Sequence, residues 1–201
     1  MDKLSAVRKD RRLPVCIEED KMEQLLDQLQ SAELFADLRD LLMLELLYGT
    51  GMRLSELIGL RHSDVDEMRG RVLITGKGNK QRSVPLLGEV LQVYERYVAE
   101  KQKVFGSDFC DWVFVTNKGA QLYPGFVYRR VRHYLGRVST RTRKSPHVLR
   151  HSFATHMLNR GAELNAIKKL LGHSSLAATQ VYTHNTIDKI KQVYKQAHPK
   201  A

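Results

Sequence analysis

The last third of the chain contains side chains that could act on a phosphate group. They are His147, Arg150, His173, Tyr182 and His184. An arginine grips phosphate oxygens through paired N–H donors, and a histidine can exchange a proton near neutral pH. A tyrosine hydroxyl can serve as a covalent nucleophile. The set therefore predicts chemistry on a phosphate backbone.

Taken one at a time, these residues also fit structural roles. The spacing of His147 and His151 occurs often by chance, and His151 and His156 can both be structural histidines. Tyr182 follows an apolar stretch and can equally be an aromatic residue at the rim of a core. The interpretation therefore depends on the whole set and on the residues that accompany it.

The charge of the chain favours a polyanionic partner. Lys and Arg outnumber Asp and Glu by 33 to 22, which gives a formal net charge of +11. Between Arg129 and Arg150 there are eight Lys or Arg residues and no acidic one. A solvated helix face normally mixes both signs, so this stretch indicates a nucleic acid rather than an acidic protein surface or an anionic membrane.

Length and composition favour one class of protein, a single large domain, and exclude several others. The 201 residues are 42% hydrophobic, enough for one large domain, which we expect over 13–201 after a charged linker or tail over 1–12. Cys16 and Cys110 are far apart and lack a C-x-x-C spacing, so neither a disulfide framework nor a structural zinc site is predicted. No apolar run approaches about 18 residues, and the charged start lacks the apolar part of a signal peptide. We expect a soluble, cytoplasmic protein.

The first half of the chain predicts two helices and the start of a third. Apolar residues at helical spacing mark 17–30, and the segment 37–48 is apolar nearly all round, as is typical of a central core helix. The segment 50–57 then opens a further helix. On that helix Arg53 and Glu56 are three residues apart and share a face.

A β-hairpin is predicted next. Short β-type runs at 72–74 and 83–85 flank a turn over 76–80 that contains two glycines, and a first strand is expected near Val65. Lys77 lies at the end of the strand that enters the turn. Glycines allow the tip to approach another backbone closely, although most lysines in such turns are simply solvated.

The remainder of the chain is predicted to be mainly helical. Helices are expected over 89–104, 146–159, 165–171, 174–182 and 187–197, with an extended segment over 112–115. Ser145 and Pro146 provide an N-cap and a first-turn proline, which puts His147 and Arg150 one turn apart on one helix face. The predicted fold class is mainly α with a small three-stranded antiparallel β-sheet.

Five separated motifs together resemble the catalytic domain of a tyrosine site-specific recombinase, of the phage-integrase family. They are Thr-Gly-Met-Arg53-Leu-Ser-Glu56-Leu, Gly-Lys77-Gly-Asn-Lys, His147-Val-Leu-Arg150-His151, Leu-Leu-Gly-His173-Ser and Tyr182-Thr-His184. The resemblance covers about residues 13 to 199 and is closest to the Xer-type recombinases of bacteria. It implies the catalytic-domain fold of that family. It also implies an N-terminal helical core-binding domain, which is not among these residues.

The resemblance implies a role for each matching residue. Arg53 and Arg150 would bind the scissile phosphate, and Tyr182 would attack it to give a 3′-phosphotyrosyl link. Lys77 would protonate the leaving 5′-oxygen, His147 would help to accept the tyrosine proton, and His173 would hydrogen-bond the phosphate. Glu56 would orient the arginines. The reaction would need no metal, no cofactor and no ATP.

The basic residues gain a companion role as DNA contacts. The candidates are Lys80, Arg82, Arg129, Arg130, Arg132, Arg141, Arg143 and Lys144. They would hold a duplex carrying a specific recombination site, some through its phosphates and some through base edges. The resemblance also implies a homo- or hetero-tetramer on DNA. The C-terminal helix over 187–197 could pack on its own domain, but the family favours docking on a neighbouring protomer.

Other functions remain open at this point. A DNA-binding protein without a reaction would have no use for Tyr182, His173 and Lys77 at these places. A type IB topoisomerase shares the chemistry but does not exchange strands between duplexes. Among recombinases, chromosome-dimer resolution and integration of a mobile element are both open, and the lack of a conspicuous insertion before His147 disfavours the integron type.

Overall fold

The computed structural model describes residues 16–107, 109–140, 144–172, 194 and 196–198, with the side chain of Lys77 outside the described part. The helices are α1 (Glu19–Leu29), α2 (Phe35–Gly49), α3 (Leu54–Ile58), α4 (Gly88–Phe105), α5 (Pro124–Val138), α6 (Pro146–Asn159) and α7 (Leu164–Leu171). The strands are β1 (Val65–Asp66), β2 (Arg71–Thr75) and β3 (Gln81–Pro85). Mainly helical with a small antiparallel sheet, this architecture confirms the predicted fold class.

Helix α2 is the centre of the core. Every residue from Leu38 to Gly49 is buried, and the helix packs against α1, α4 and α6. This follows from its sequence, because a helix that is apolar nearly all round must be surrounded by other elements. Helix α6, which carries His147 and Arg150, is therefore fixed directly on the core.

The three strands form one antiparallel sheet in the order β1-β2-β3, as predicted. Val72 pairs with Val84 and Ile74 with Arg82, and all four of these side chains lie on the buried face. Between β2 and β3, residues 77–79 form a 3-10 turn that contains Gly78 at φ 73°. The turn that carries Lys77 is thus attached to the core by the buried face of the hairpin.

Two local predictions, at Arg53 and Ser145, differ from the structure. Arg53 is the N-cap of the short helix α3 rather than a residue on its face. The segment 112–115, which is predicted to be extended, makes isolated bridges, such as Trp112 with Arg61. In the described part of the chain, Ser145 precedes α6 with extended backbone but makes no side-chain capping hydrogen bond.

The described residues of the C-terminal segment pack on their own domain. Gly49 ends α2, so its carbonyl has no intrahelical donor, and it accepts hydrogen bonds from the Tyr194 hydroxyl at 2.8 Å and His198 Nε2 at 3.0 Å. Arg160 donates to the His198 carbonyl at 2.8 Å. These contacts of Tyr194 and His198 lie within the single chain, and docking of the segment on a neighbouring protomer stays a prediction. The helix predicted over 174–182 lies outside the described residues.

Cys16 and Cys110 are both free thiols. Within the described ranges no group of three His, Cys, Asp or Glu side chains could hold a metal ion. The helices in those ranges are too short or too polar to cross a membrane.

Candidate active site

In the described part of the chain, three arginines meet at the C-terminal end of α7. Their N–H groups donate to its last carbonyls: Arg82 to Leu170 at 2.7 Å, Arg150 to Leu171 at 2.7 Å and Arg53 to Gly172 at 3.5 Å. These carbonyls have no donor within the helix and form the negative end of its dipole. The end of α7 therefore gathers guanidinium groups from α3, β3 and α6.

Glu56 is the carboxylate at the centre of this cluster. Its Oε1 accepts hydrogen bonds from Nη1 of Arg53 at 2.9 Å and Nη1 of Arg82 at 2.9 Å. Its Oε2 accepts from the Arg53 backbone N–H at 2.7 Å and Nη2 of Arg82 at 2.7 Å. Burial alone would raise the pKa of Glu56, but the hydrogen bonds from Arg82 and Arg53 lower it to about 2. Glu56 is therefore ionised at neutral pH.

Arg53 is the more accessible of the two predicted phosphate-binding arginines. The Arg53 side chain is 41% exposed, whereas Arg150 is buried. The Glu56 side chain, which binds Arg53, is 3% exposed. As the N-cap of α3, Arg53 is held by Glu56, which is the third residue of the same helix, through both backbone and side chain. Glu56 thus fixes the backbone N–H and Nη1 of Arg53. The rest of the Arg53 guanidinium stays accessible to a ligand.

Arg150 is buried and held by the backbone. It donates from Nη1 to the Gly51 carbonyl and from Nη2 to the Leu171 carbonyl. Burial, together with the positive charges of Arg53 and Arg82, lowers the pKa of Arg150 to about 10. It therefore stays protonated at neutral pH. The described cluster has three guanidinium groups and one carboxylate, so it attracts an anion.

The other predicted catalytic residues relate to the cluster in different ways. His147 lies one turn before Arg150 on α6 and is exposed. The backbone of Lys77 follows Gly76, where an added Cβ would lie 3.4 Å from Glu56 Oε1, so the hairpin turn adjoins the cluster. His173 is the residue after Gly172 in the chain, but it lies outside the described residues, as do Tyr182 and His184.

The position of Arg82 contradicts its predicted role as a DNA contact. It was expected to contact DNA, but it is only 6% exposed and its guanidinium is bound to Glu56 and Leu170. The reason is the strand period: Arg82 and Val84 both point to the buried face of β3. That alternation was visible in the sequence. The presence of a buried carboxylate opposite Arg82 was not.

The remaining DNA-contact candidates fall into two groups. Lys80 on the hairpin and Arg129 and Arg132 on α5 are exposed, and Lys144 is half-buried. Arg130 is instead bound to Asp40, a fully buried carboxylate on α2, so it is a structural anchor of α5. Asp40 also accepts hydrogen bonds from its neighbour Arg39, so two arginines share this buried carboxylate. Arg141 and Arg143 lie outside the described residues.

Residues 16–189 of the chain match the family described as Phage integrase family. The chain belongs to the phage integrase family. This confirms the resemblance seen in the sequence. The phage integrase chain is 42% identical over 214 residues to Tyrosine recombinase XerC of Chlorobaculum parvum, with 96% of the chain and 64% of the relative covered.

Two further comparisons agree. The phage integrase chain is 42% identical to Tyrosine recombinase XerD of Yersinia pestis, with 98% of the chain and 67% of the relative covered. It superposes with a TM-score of 0.73 and 25% identity on the crystal structure of XerH site-specific recombinase bound to palindromic difH substrate, a post-cleavage complex, covering 93% of the chain and 54% of that structure. The chain spans about two thirds of the length of the curated relatives it matches.

Proposed function

We propose that this phage integrase family chain is the catalytic part of a site-specific DNA recombinase, either Xer-like or a mobile-element integrase. It would cleave and rejoin DNA through a 3′-phosphotyrosyl intermediate and a Holliday junction. The observation that carries the proposal is the cluster at the end of α7, where Glu56 orients Arg53 and the backbone holds Arg150. Its excess of positive charge suits a phosphate diester.

The two arginines would divide the work of binding the phosphate. Backbone carbonyls of Gly51 and Leu171 occupy two of the five N–H groups of Arg150, so the same guanidinium can also donate to a non-bridging oxygen. Arg53 would approach from the exposed side. Donors already fixed in place stabilise the extra charge of a pentacoordinate transition state without reorganising during the reaction.

The covalent step exchanges one phosphate ester for another. The Tyr182 oxygen would form a bond to phosphorus while the bond from phosphorus to the 5′-oxygen breaks, and the electron pair would stay on that oxygen. His147 would help to accept the tyrosine proton, and Lys77 would donate a proton to the leaving oxygen. His173 would hydrogen-bond the phosphate. Rejoining is the same exchange in reverse, so no ATP is needed.

Double-stranded DNA is the proposed partner. The basic, exposed part of α5, with Arg129 and Arg132, suits phosphate contacts, and the XerH neighbour is a complex with its difH substrate. We further propose a tetramer on DNA in which the segment 187–197 can exchange between protomers. In the single chain Tyr194 and His198 donate hydrogen bonds to the Gly49 carbonyl. In the tetramer the same residues of a neighbour's segment would donate to it instead.

Replacement of the proposed nucleophile tests this function. The substrate is a nicked duplex carrying the sequence that the chain selects from a random-sequence pool. Wild-type protein should form a covalent protein–DNA adduct, whereas Tyr182→Phe should form none and bind the same duplex within about threefold. An adduct with the Phe variant would show that another residue is the nucleophile. Binding without any wild-type adduct would indicate a DNA-binding protein without the reaction.

A further inference from the structure

We infer that Arg82 is a positioning residue that joins Glu56 and the end of α7 to the hairpin, so that the phosphate-binding arginines are held in place before DNA binds. This inference deepens the proposed function and rests on it. It concerns a side chain for which the sequence suggested a different role, a direct contact with DNA.

The geometry of Arg82 is that of a fixed clamp. Nη1 and Nη2 donate to the two oxygens of Glu56 at 2.9 and 2.7 Å, and Nε donates to the Leu170 carbonyl at 2.7 Å. The side chain is 6% exposed. A planar guanidinium can make these three bonds in one plane, whereas a lysine ammonium cannot match such a fork.

Arg82 connects three elements of the site: β3, α3 and α7. It lies on β3, just after the turn that carries Lys77. Through Glu56 it reaches α3 and the base of Arg53, and through Leu170 it reaches the end of α7. The contact with α7 is close, because a Cβ added to Gly172 would lie 3.2 Å from Arg82 Cδ and 3.3 Å from Nη1.

Loss of Arg82 should change the hydrogen bonds between Glu56 and Arg53. Glu56 would lose two of the four donors it has among the described residues, and its charge would face Arg53 without the competing cation. The Arg53 N–H groups would then turn towards the carboxylate and away from the phosphate. At the same time the Leu170 carbonyl would lose its donor, which loosens the end of α7. The cost should fall on the rate of the chemical step rather than on DNA affinity.

The test compares Arg82→Gln and Arg82→Lys with wild type on the selected nicked duplex. The rate of adduct formation at saturating protein should fall about 100-fold in both variants, since a misplacement of about 1 Å costs that much. The dissociation constant for the duplex should stay within about threefold. Arg71→Gln is the matched control, because Arg71 lies on the neighbouring strand and pairs with Asp66 at 3.0 Å, away from the cluster. It should leave both quantities unchanged.

Two results would overturn the inference. One is a saturated rate within threefold of wild type for Arg82→Gln. The other is an equal loss of affinity and rate, which would make Arg82 a phosphate contact. The pH profile separates positioning from general destabilisation. With both Arg82 hydrogen bonds removed, the pKa of Glu56 should rise. The acid limb of the rate should therefore move to higher pH in Arg82→Gln and stay in place in Arg71→Gln.

Hydrogen exchange keeps the inference testable even if the wild-type chain forms no adduct. In that case the proposed recombinase activity fails, but amide exchange can still be measured on the free protein. Exchange at 54–58 and 164–172 should be faster in Arg82→Gln than in wild type or Arg71→Gln. Unchanged exchange in both segments would show that Arg82 does not organise the cluster.

Discussion

Glu56 is the residue whose loss should be easiest to measure as a change in stability. Its pKa falls from an ordinary 4.5 to about 2 in the folded chain, and its side chain is 3% exposed. Each pKa unit corresponds to about 1.4 kcal/mol, so the ionised carboxylate contributes about 3 kcal/mol at neutral pH. This agrees with the about 3 to 5 kcal/mol found when one partner of a buried ion pair is removed. Glu56→Gln should lower the free energy of unfolding at pH 7 by about this amount.

The pH dependence gives this prediction its sign. Because the folded-state pKa is depressed, the contribution is fully present above the ordinary value of 4.5 and is lost as pH falls through the folded value of about 2. The difference between wild type and Glu56→Gln should therefore shrink to about 40% by pH 3. Urea unfolding at pH 7, 4 and 3 measures it. Asp111→Asn, which removes the exposed ion pair with Arg61, should change stability little.

A difference for Glu56→Gln that stays the same from pH 7 to pH 3 would refute this reasoning. It would mean that the loss comes from packing or from the amide group itself, and not from the charge that Arg82 and Arg53 stabilise. No difference at pH 7 would mean that the cluster is not formed in solution.

Two further predictions concern the hairpin and the backbone beside Arg150. Lys77→Ala should slow cleavage by about 10²- to 10⁴-fold. A substrate with a 5′-bridging sulfur should restore the rate, because a thiolate leaves without a proton. No rescue would argue against Lys77 as the acid. Gly51→Ala should destabilise the fold by about 2 to 4 kcal/mol in thermal or urea unfolding, because Gly51 has φ 60° and an added Cβ would lie 2.6 Å from Leu171 and 2.7 Å from Phe153. Gly88→Ala, where no atom lies within 4 Å of the added Cβ, is its control, and equal stability of the two variants would contradict the account.

The sequence predicted the elements whose patterns are local. The apolar run of α2, the paired β-type runs and the proline at the start of α6 each depend on neighbouring residues, and the structure has all three. The motifs also identified Arg53, Glu56 and Arg150, which the fold brings to one place. The predictions of these elements succeeded because periodicity and turn chemistry are properties of the chain itself, whereas the roles of the three site residues stay predictions.

The sequence does not show which basic side chains bind a distant carboxylate. Arg82 and Arg130 were both expected to face DNA, yet each is bound to a carboxylate, Glu56 or Asp40, that lies far away in sequence. A basic residue in a basic stretch has the same local signal whether it faces solvent or a buried acid. Only the ion pairs that join β3 to α3 and α5 to α2 separate the two cases.

The most direct test of the central claim is to locate the DNA attachment and its chemistry. Wild-type protein is trapped on the selected nicked duplex in the presence of excess chelator, digested with protease and analysed by mass spectrometry. The account predicts one modified peptide, with a 3′-phosphate linked to Tyr182, and a free 5′-hydroxyl on the released strand. Attachment at another residue, a 5′-phosphotyrosyl link, or an adduct that forms only with added metal would contradict it.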